Sequence, residues 1–195
     1  MNTYKLPQVY LKILKDEDYK LILDLYSNKE TAYWSGIKKI QSKQAAERFI
    51  YESNSDSKVI NYVIKDSVTQ ISIGVFSLFK TELFRKPTLE IGYAILPQYR
   101  NKGYAKSSII KIHEMITSHD YFIKYKYLMA KYYTDNLISS NLLHSFGFVP
   151  VSEGTTIDIY GNQKRTKLVY RNIYKNAIIQ VYLYYGRNWK IYQKN

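Results

Sequence analysis

The sequence predicts a mixed α/β domain of α+β type, with a sheet as its core and helices packed on it. Two patterns carry this. Short runs rich in valine and isoleucine, alternating apolar and polar, interleave with longer stretches whose apolar residues recur at helical spacing. In addition, no linker, repeat or low-complexity segment divides the 195 residues, a length that suits one core without staples.

VYLKIL (9–14) alternates and reads as a strand. KDEDYKLILDLYSN follows, acidic at its start and apolar at Tyr19, Leu21, Ile22 and Leu25, which predicts a helix with its dipole complemented. Residues 27–41 read as a polar, Trp-containing loop, and Ser42 with Ala45 and Ala46 opens a second helix. KVINYVIKD (58–66) and ISIGVFSLFK (71–80) form an antiparallel hairpin about a polar turn at 67–70; TLEIGYAIL (88–96) is the next strand. In GYAKSSIIKIHEMITS, Ala105, Ile109, Ile112 and Ile116 mark one helical face. KYKYLMAKYY (124–133) is a strand. DNLISSNLLHSFGF is a helix capped by Asp135 or Asn136 and ended by Gly147, and GFVPV and RTKLVYR complete a β-α-α-β-β-β-α-β-α-β-β order. The domain spans 1–172. A tyrosine-rich extension, 173–195, reads as two strands about a turn at 185–188, packed on the domain or in a homodimer contact.

Composition narrows the chemistry. The absence of cysteine excludes disulfides, thiolate metal sites and an acyl-cysteine intermediate. The three histidines (His113, His119, His144) lack metal-ligand spacing, so no metal is expected. The net charge of +13 favours an anionic partner, but the lysines are spread without a polybasic block. A phosphorylated cofactor accounts for that charge, and nucleic acid is not indicated. The 22 tyrosines accompany abundant lysine, asparagine and isoleucine, all with A/T-rich codons, which points to base bias in the gene. No apolar run reaches spanning length and none resembles a signal segment, so a cytoplasmic protein without membrane contact is expected.

The segment LPQYRNKGYAKSS (96–108) joins a strand to a helix and carries more cation than a turn needs. The first N–H groups of a helix sit at the positive end of its dipole and can bind phosphate. Gly103 permits close backbone approach, Ala105 is nearly as small, and Arg100, Lys102 and Lys106 add donors. By itself the segment fits either an anion site or a turn with a solvated basic rim.

Read from Ile95, it matches V/I-x-P-x-x-R/Q-x-x-G-x-G/A and resembles the acyl-CoA-binding motif of the GNAT superfamily of N-acetyltransferases. N-x-x-S-x-x-L-L-x-x-x-G-F, from Asn136 to Phe148, is similar to a second signature of that family. Residues 10–34 resemble the opening of the subgroup holding ribosomal-protein N-terminal and polyamine acetyltransferases, and the likeness runs from about 9 to 171. It implies a GNAT-like, mostly antiparallel twisted sheet with splayed central parallel strands, and acetyl-CoA as cosubstrate. It also implies that the backbone of Ala94, Ile95 and Leu96 pairs with the pantetheine arm, which Asn136 also contacts. The pyrophosphate would rest on the N–H groups of Asn101, Lys102, Gly103, Tyr104, Ala105 and Lys106, with Arg100 at the Arg/Gln position.

The absence of cysteine argues for direct attack of an amine on the thioester, with a base to take the amine's proton and an acid for the leaving sulfur. Glu90, in LEIGY and out of phase with Ile91 and Tyr93, is the base expected from the pattern, the alternative being a glutamate on a solvated face. Where many relatives carry an acidic tyrosine this chain has Leu143, and a second family base position holds Lys131. Ser139 fills a serine position found in relatives lacking the tyrosine, as proton donor or small helix residue; Tyr133 is a further donor. Polyamine or aminoglycoside acceptors need clustered carboxylates, and the expected acceptor region offers only Glu30, Glu47 and Glu52. A protein N-terminus or a small amine fits better on that count. A non-catalytic acyl-CoA-binding protein of the same fold is the alternative.

Overall fold

The computed structural model describes residues 5–174. Seven strands form one sheet in the order β1-β2-β3-β4-β5-β7-β6. They are β1 (Val9–Ile13), β2 (Val59–Asp66), β3 (Ser72–Leu83), β4 (Lys86–Ile95), β5 (Tyr127–Tyr133), β6 (Val149–Ile157) and β7 (Gln163–Asn172). Every neighbouring pair is antiparallel except β4 with β5. That parallel pair stays in register only from Thr88 opposite Tyr127 to Glu90 opposite Met129. Beyond Glu90, β4 continues to pair with β3 alone, up to Ile95 opposite Gly74. The sheet therefore opens into a cleft at its centre.

Strand alternation gives the sheet two different faces. On one, Leu89, Ile91, Ile95, Phe76 and Leu78 bury against Ile109, Ile112 and Ile116 of α4 (Tyr104–Ser118), the helical stripe expected from the sequence. On the other, Val63, Val75 and Ala94 pack with Leu21, Ile22 and Leu25 of α1 (Tyr19–Ser27) and with Ala46 and Ile50 of α3 (Lys43–Ser55). Ser42 caps α3, its hydroxyl accepting from the Ala45 N–H at 3.1 Å. Asn136 caps α5 (Leu137–Ser145) through the Ser139 N–H at 3.1 Å, and Gly147, at φ 73°, turns the chain after it. The buried Arg171 of β7 donates to the Phe146 carbonyl at 2.7 Å, tying the end of α5 to the sheet.

Three local expectations change. The segment read as loop holds a short helix, α2 (Lys29–Trp34), because Asn28 accepts from both the N–H and the hydroxyl of Thr31 and supplies its cap. Strands β3 and β4 run past the expected 80 and 88 to meet in a two-residue turn, Phe84-Arg85, with φ of 53° and 57° in place of the usual glycine. The Phe84 ring packs edge-on to Tyr127 and Tyr170, which holds the turn to the sheet. Strand β6 runs on to Ile157, well past the short GFVPV run, because β7 pairs with it as far as Gln163. The expectations for 175–195, including the dimer contact, lie outside the described residues.

Candidate active site

Where β4 leaves β5, a cavity of about 620 Å³ opens, lined by α1, α2 and α3 and also by α5. Glu90, Asn136 and Ser139 all line it, so three residues singled out from separate segments come together; Lys131 and Leu143 share its wall. Glu90 is half-buried at the last position of β4 paired with β5, on the face opposite Ile91, as its parity predicts. Burial pushes its carboxyl above the ordinary glutamate range, and the Lys131 ammonium only partly offsets that. A carboxylate with a raised pKa at a cleft suits general-base work near neutral pH. Gly92 keeps the floor beside it low: a Cβ there would come within 3.3 Å of the Phe79 ring.

The expected backbone contacts need correction. The Leu96 N–H is bonded to the Ile73 carbonyl at 2.9 Å and is not available to a ligand. By strand alternation the peptide groups of Glu90, Gly92 and Ala94 turn the same way, toward β3. Past the stretch paired with β5, those of Tyr93 and Ile95 face the open cleft instead. Of the three residues expected there, only Ile95 turns its peptide group to the cleft, with Tyr93 two positions before it on the same side. Gly74 is required at this point because a Cβ would collide with the Ala94 carbonyl.

The loop after β4 turns sharply through Asn101 at φ 59° and Gly103 at φ 86°, and α4 begins directly at Tyr104. The first turn of α4, Tyr104 to Lys106, thus opens toward this loop, as an anion site requires. The Tyr104 hydroxyl donates to Asp66 at 2.7 Å, and Lys102 lies over the Tyr99 ring, 5.6 Å from its centre. Arg100 points elsewhere. Its guanidinium donates to Glu30 at 2.5 Å and to the Thr31 hydroxyl at 2.6 Å, and its Nε donates to the Ile95 carbonyl at 3.4 Å, so it ties the end of β4 to α2. Sequence reasoning had no signal for that, since the partners on α2 stand 69 and 70 positions away.

Two residues escaped the sequence reading, Asp56 and Tyr93. Asp56, the C-cap of α3, is exposed on the cavity's rim one helical turn from Glu52, one of the few carboxylates expected in the acceptor region; their i, i+4 spacing was the available signal. Tyr93 also lines the cavity, with its hydroxyl buried. Tyr133, expected as a further donor, instead packs with Tyr33 and Trp34, at 5.7 and 6.2 Å between rings. Among the described residues no cluster of histidine or carboxylates is placed to hold a metal, and no helix is long and apolar enough to cross a membrane.

Residues 8–149 match the family model of the acetyltransferase (GNAT) domain. No curated protein matches the sequence. Among solved structures, the chain is similar to a spermidine N-acetyltransferase from Vibrio cholerae in complex with CoA and spermine. That match has 19% identity and a TM-score of 0.71, over 86% of this chain and 97% of the other. It is also similar to a GNAT-family acetyltransferase from Bacillus anthracis, with 16% identity and a TM-score of 0.67, over 87% and 98% of the two chains. The splayed parallel pair, the mixed sheet and the flanking helices are the fold of that family. With its family model covering most of the sequence, the chain belongs to the GNAT acetyltransferase family and is an acetyl-CoA-dependent N-acetyltransferase.

Proposed function

We propose that the protein transfers an acetyl group from acetyl-CoA directly to a primary amine of a small alkylamine that carries a second positive charge. The observation behind this reading is the cavity itself, which holds Glu90 at the cleft and Glu52 and Asp56 on its rim. The same lining supplies apolar surface from Trp34, Ile37, Phe49 and Phe79, beside the polar Ser53, Asn61 and Ser77. An amine presented to Glu90 leaves a second ammonium to meet Glu52 and Asp56, with methylenes against the apolar wall. The shortage of acid read between 27 and 52 is made up by folding, because Asp56 and Glu90 lie outside that window. The Vibrio protein crystallised with spermine is a precedent on the same fold.

Ile95, Tyr93, Asn136 and the first turn of α4 are the groups suited to hold the acyl donor, which supplies the activated acetyl group. Glu90 takes the proton of the incoming amine. Lys131 beside it favours the ionised carboxylate, countering burial.

A thiol-release assay over diamines, polyamines, aminoglycosides and N-terminal peptides tests the acceptor. The highest kcat/KM is expected with diamines or polyamines. A preference for peptides would overturn the acceptor class. Stabilisation by acetyl-CoA without turnover of any amine would favour the non-catalytic alternative.

A further inference from the structure

The Tyr93 hydroxyl is buried and has no hydrogen-bond partner among the described residues. Burying an unsatisfied hydroxyl is costly, so such a group invites a functional explanation. Its ring is held by stacking on Phe76, with centroids 6.0 Å apart and planes at 28°, so packing sets its direction. The Ser139 side chain lies beside the phenol, close enough to perturb it but outside hydrogen-bonding geometry. Both residues line the cavity, with the apolar Leu143 next to them. Along β4, Tyr93 stands three positions beyond Glu90, roughly 10 Å of strand, and its side chain leaves the opposite face. A base and a hydroxyl so placed have room between them for a thioester and an attacking nitrogen.

We propose, resting on the acetyl-transfer reading above, that Tyr93 is the proton donor to the departing sulfur and that Ser139 restores its proton. The nitrogen lone pair forms the bond to the acetyl carbon, and the carbon–sulfur bond breaks with its electron pair left on sulfur. Glu90 takes a proton from nitrogen, and Tyr93 gives its own to sulfur. The products are an amide and a free thiol. Solvent then removes the proton from Glu90 and returns one to Tyr93 through the Ser139 hydroxyl. Burial holds the phenol's pKa above its ordinary value, with Ser139 pulling weakly the other way, so it remains protonated at neutral pH.

The test is Tyr93→Phe, which removes one oxygen and keeps the stacked ring. Its Tm should equal or exceed that of the wild type, since no protein hydrogen bond is lost. In turnover, kcat should fall about 100-fold, with both KM values within threefold. A second measurement needs no acceptor: the thiol of bound CoA is titrated by ultraviolet difference against the complex with desulfo-CoA, which cancels tyrosine absorbance. Losing the donor should raise that thiol's pKa by about one unit, a tenfold loss of thiolate at a given pH. An unchanged thiol titration, or kcat within twofold of the wild type, overturns the assignment. If the wild type acetylates no amine the acetyl-transfer reading fails, while the thiol titration still decides Tyr93. Should Tyr93→Phe fold poorly, Ser139→Ala, which keeps the phenol, should lower kcat threefold to tenfold and leave the bound thiol's pKa in place; no change in kcat would remove the relay.

Discussion

The loop that follows β4 and the cavity beside it share a strand but are built in opposite ways. The loop is one continuous segment, 96–106, shaped by two residues at positive φ and the helix that begins after them. What it offers an anion is mainly backbone N–H, which every residue but proline owns. The cavity draws side chains from α1, α2, α3 and α5 and from strands β2 to β5, and each of its polar groups is specific to its position. A site made of backbone tolerates changes in side chains and fails when chain direction fails. A site made of converging side chains fails one residue at a time. On the function proposed above, holding the acyl donor falls to the backbone-built loop and choice of acceptor to the cavity.

Glu90→Gln should break the cavity's chemistry most deeply, lowering kcat by about 10²–10⁴-fold while acetyl-CoA affinity is kept. Because burial raises the Glu90 pKa, the wild-type rate should climb with pH through a midpoint above the usual carboxylate range, and the variant should lose that limb. The same shift has a stability consequence. A raised carboxyl contributes stability below its unfolded pKa and loses it as pH rises through the folded one, so Glu90→Gln should melt higher than wild type at neutral pH. Thermal scans across pH check the sign.

On the loop side, Gly103→Val forces a β-branched residue to φ 86°. At a cost of roughly 1–3 kcal/mol, it should weaken acetyl-CoA binding on the order of tenfold or more by calorimetry. Undiminished affinity would remove the loop from the cofactor site. Glu52→Gln with Asp56→Asn sharpens the contrast from the other side. Acceptor KM should rise about tenfold with kcat little changed, and acetyl-CoA binding should stay as it is, since neither residue touches the loop.

The smallest effect is expected where the two regions are joined. Glu30→Gln cuts the ion pair through which Arg100 of the loop holds α2, the helix that carries Trp34 into the cavity. A half-exposed pair is worth roughly 0–1 kcal/mol, so acceptor KM should move by no more than a few-fold. A larger change would mean that the loop and the acceptor wall act as one unit.

Much of this was legible in order along the chain. The helical stripe of α4, the caps at Ser42 and Asn136 and the parity of Glu90 follow from local spacing, and each appears as expected. The short helix α2 escaped because its cap is a single asparagine within a polar stretch that reads equally well as loop. Arg100 was placed at the loop because its neighbours in sequence are there, and its partners on α2 are not. Leu96 escaped for a related reason: which peptide groups face the cleft depends on which neighbour a strand has already paired with.

By itself the sequence determined the alternation of strands and helices, the glycine where the chain must turn left-handed, and the absence of a thiol nucleophile. These rest on local sterics, periodicity and residue chemistry. Only the tertiary structure decided that β4 and β5 part after Glu90, that Glu52, Asp56 and Glu90 share one cavity, and that a tyrosine hydroxyl is buried beside Ser139. Those facts depend on pairing and burial between residues far apart in the chain, which no local pattern encodes.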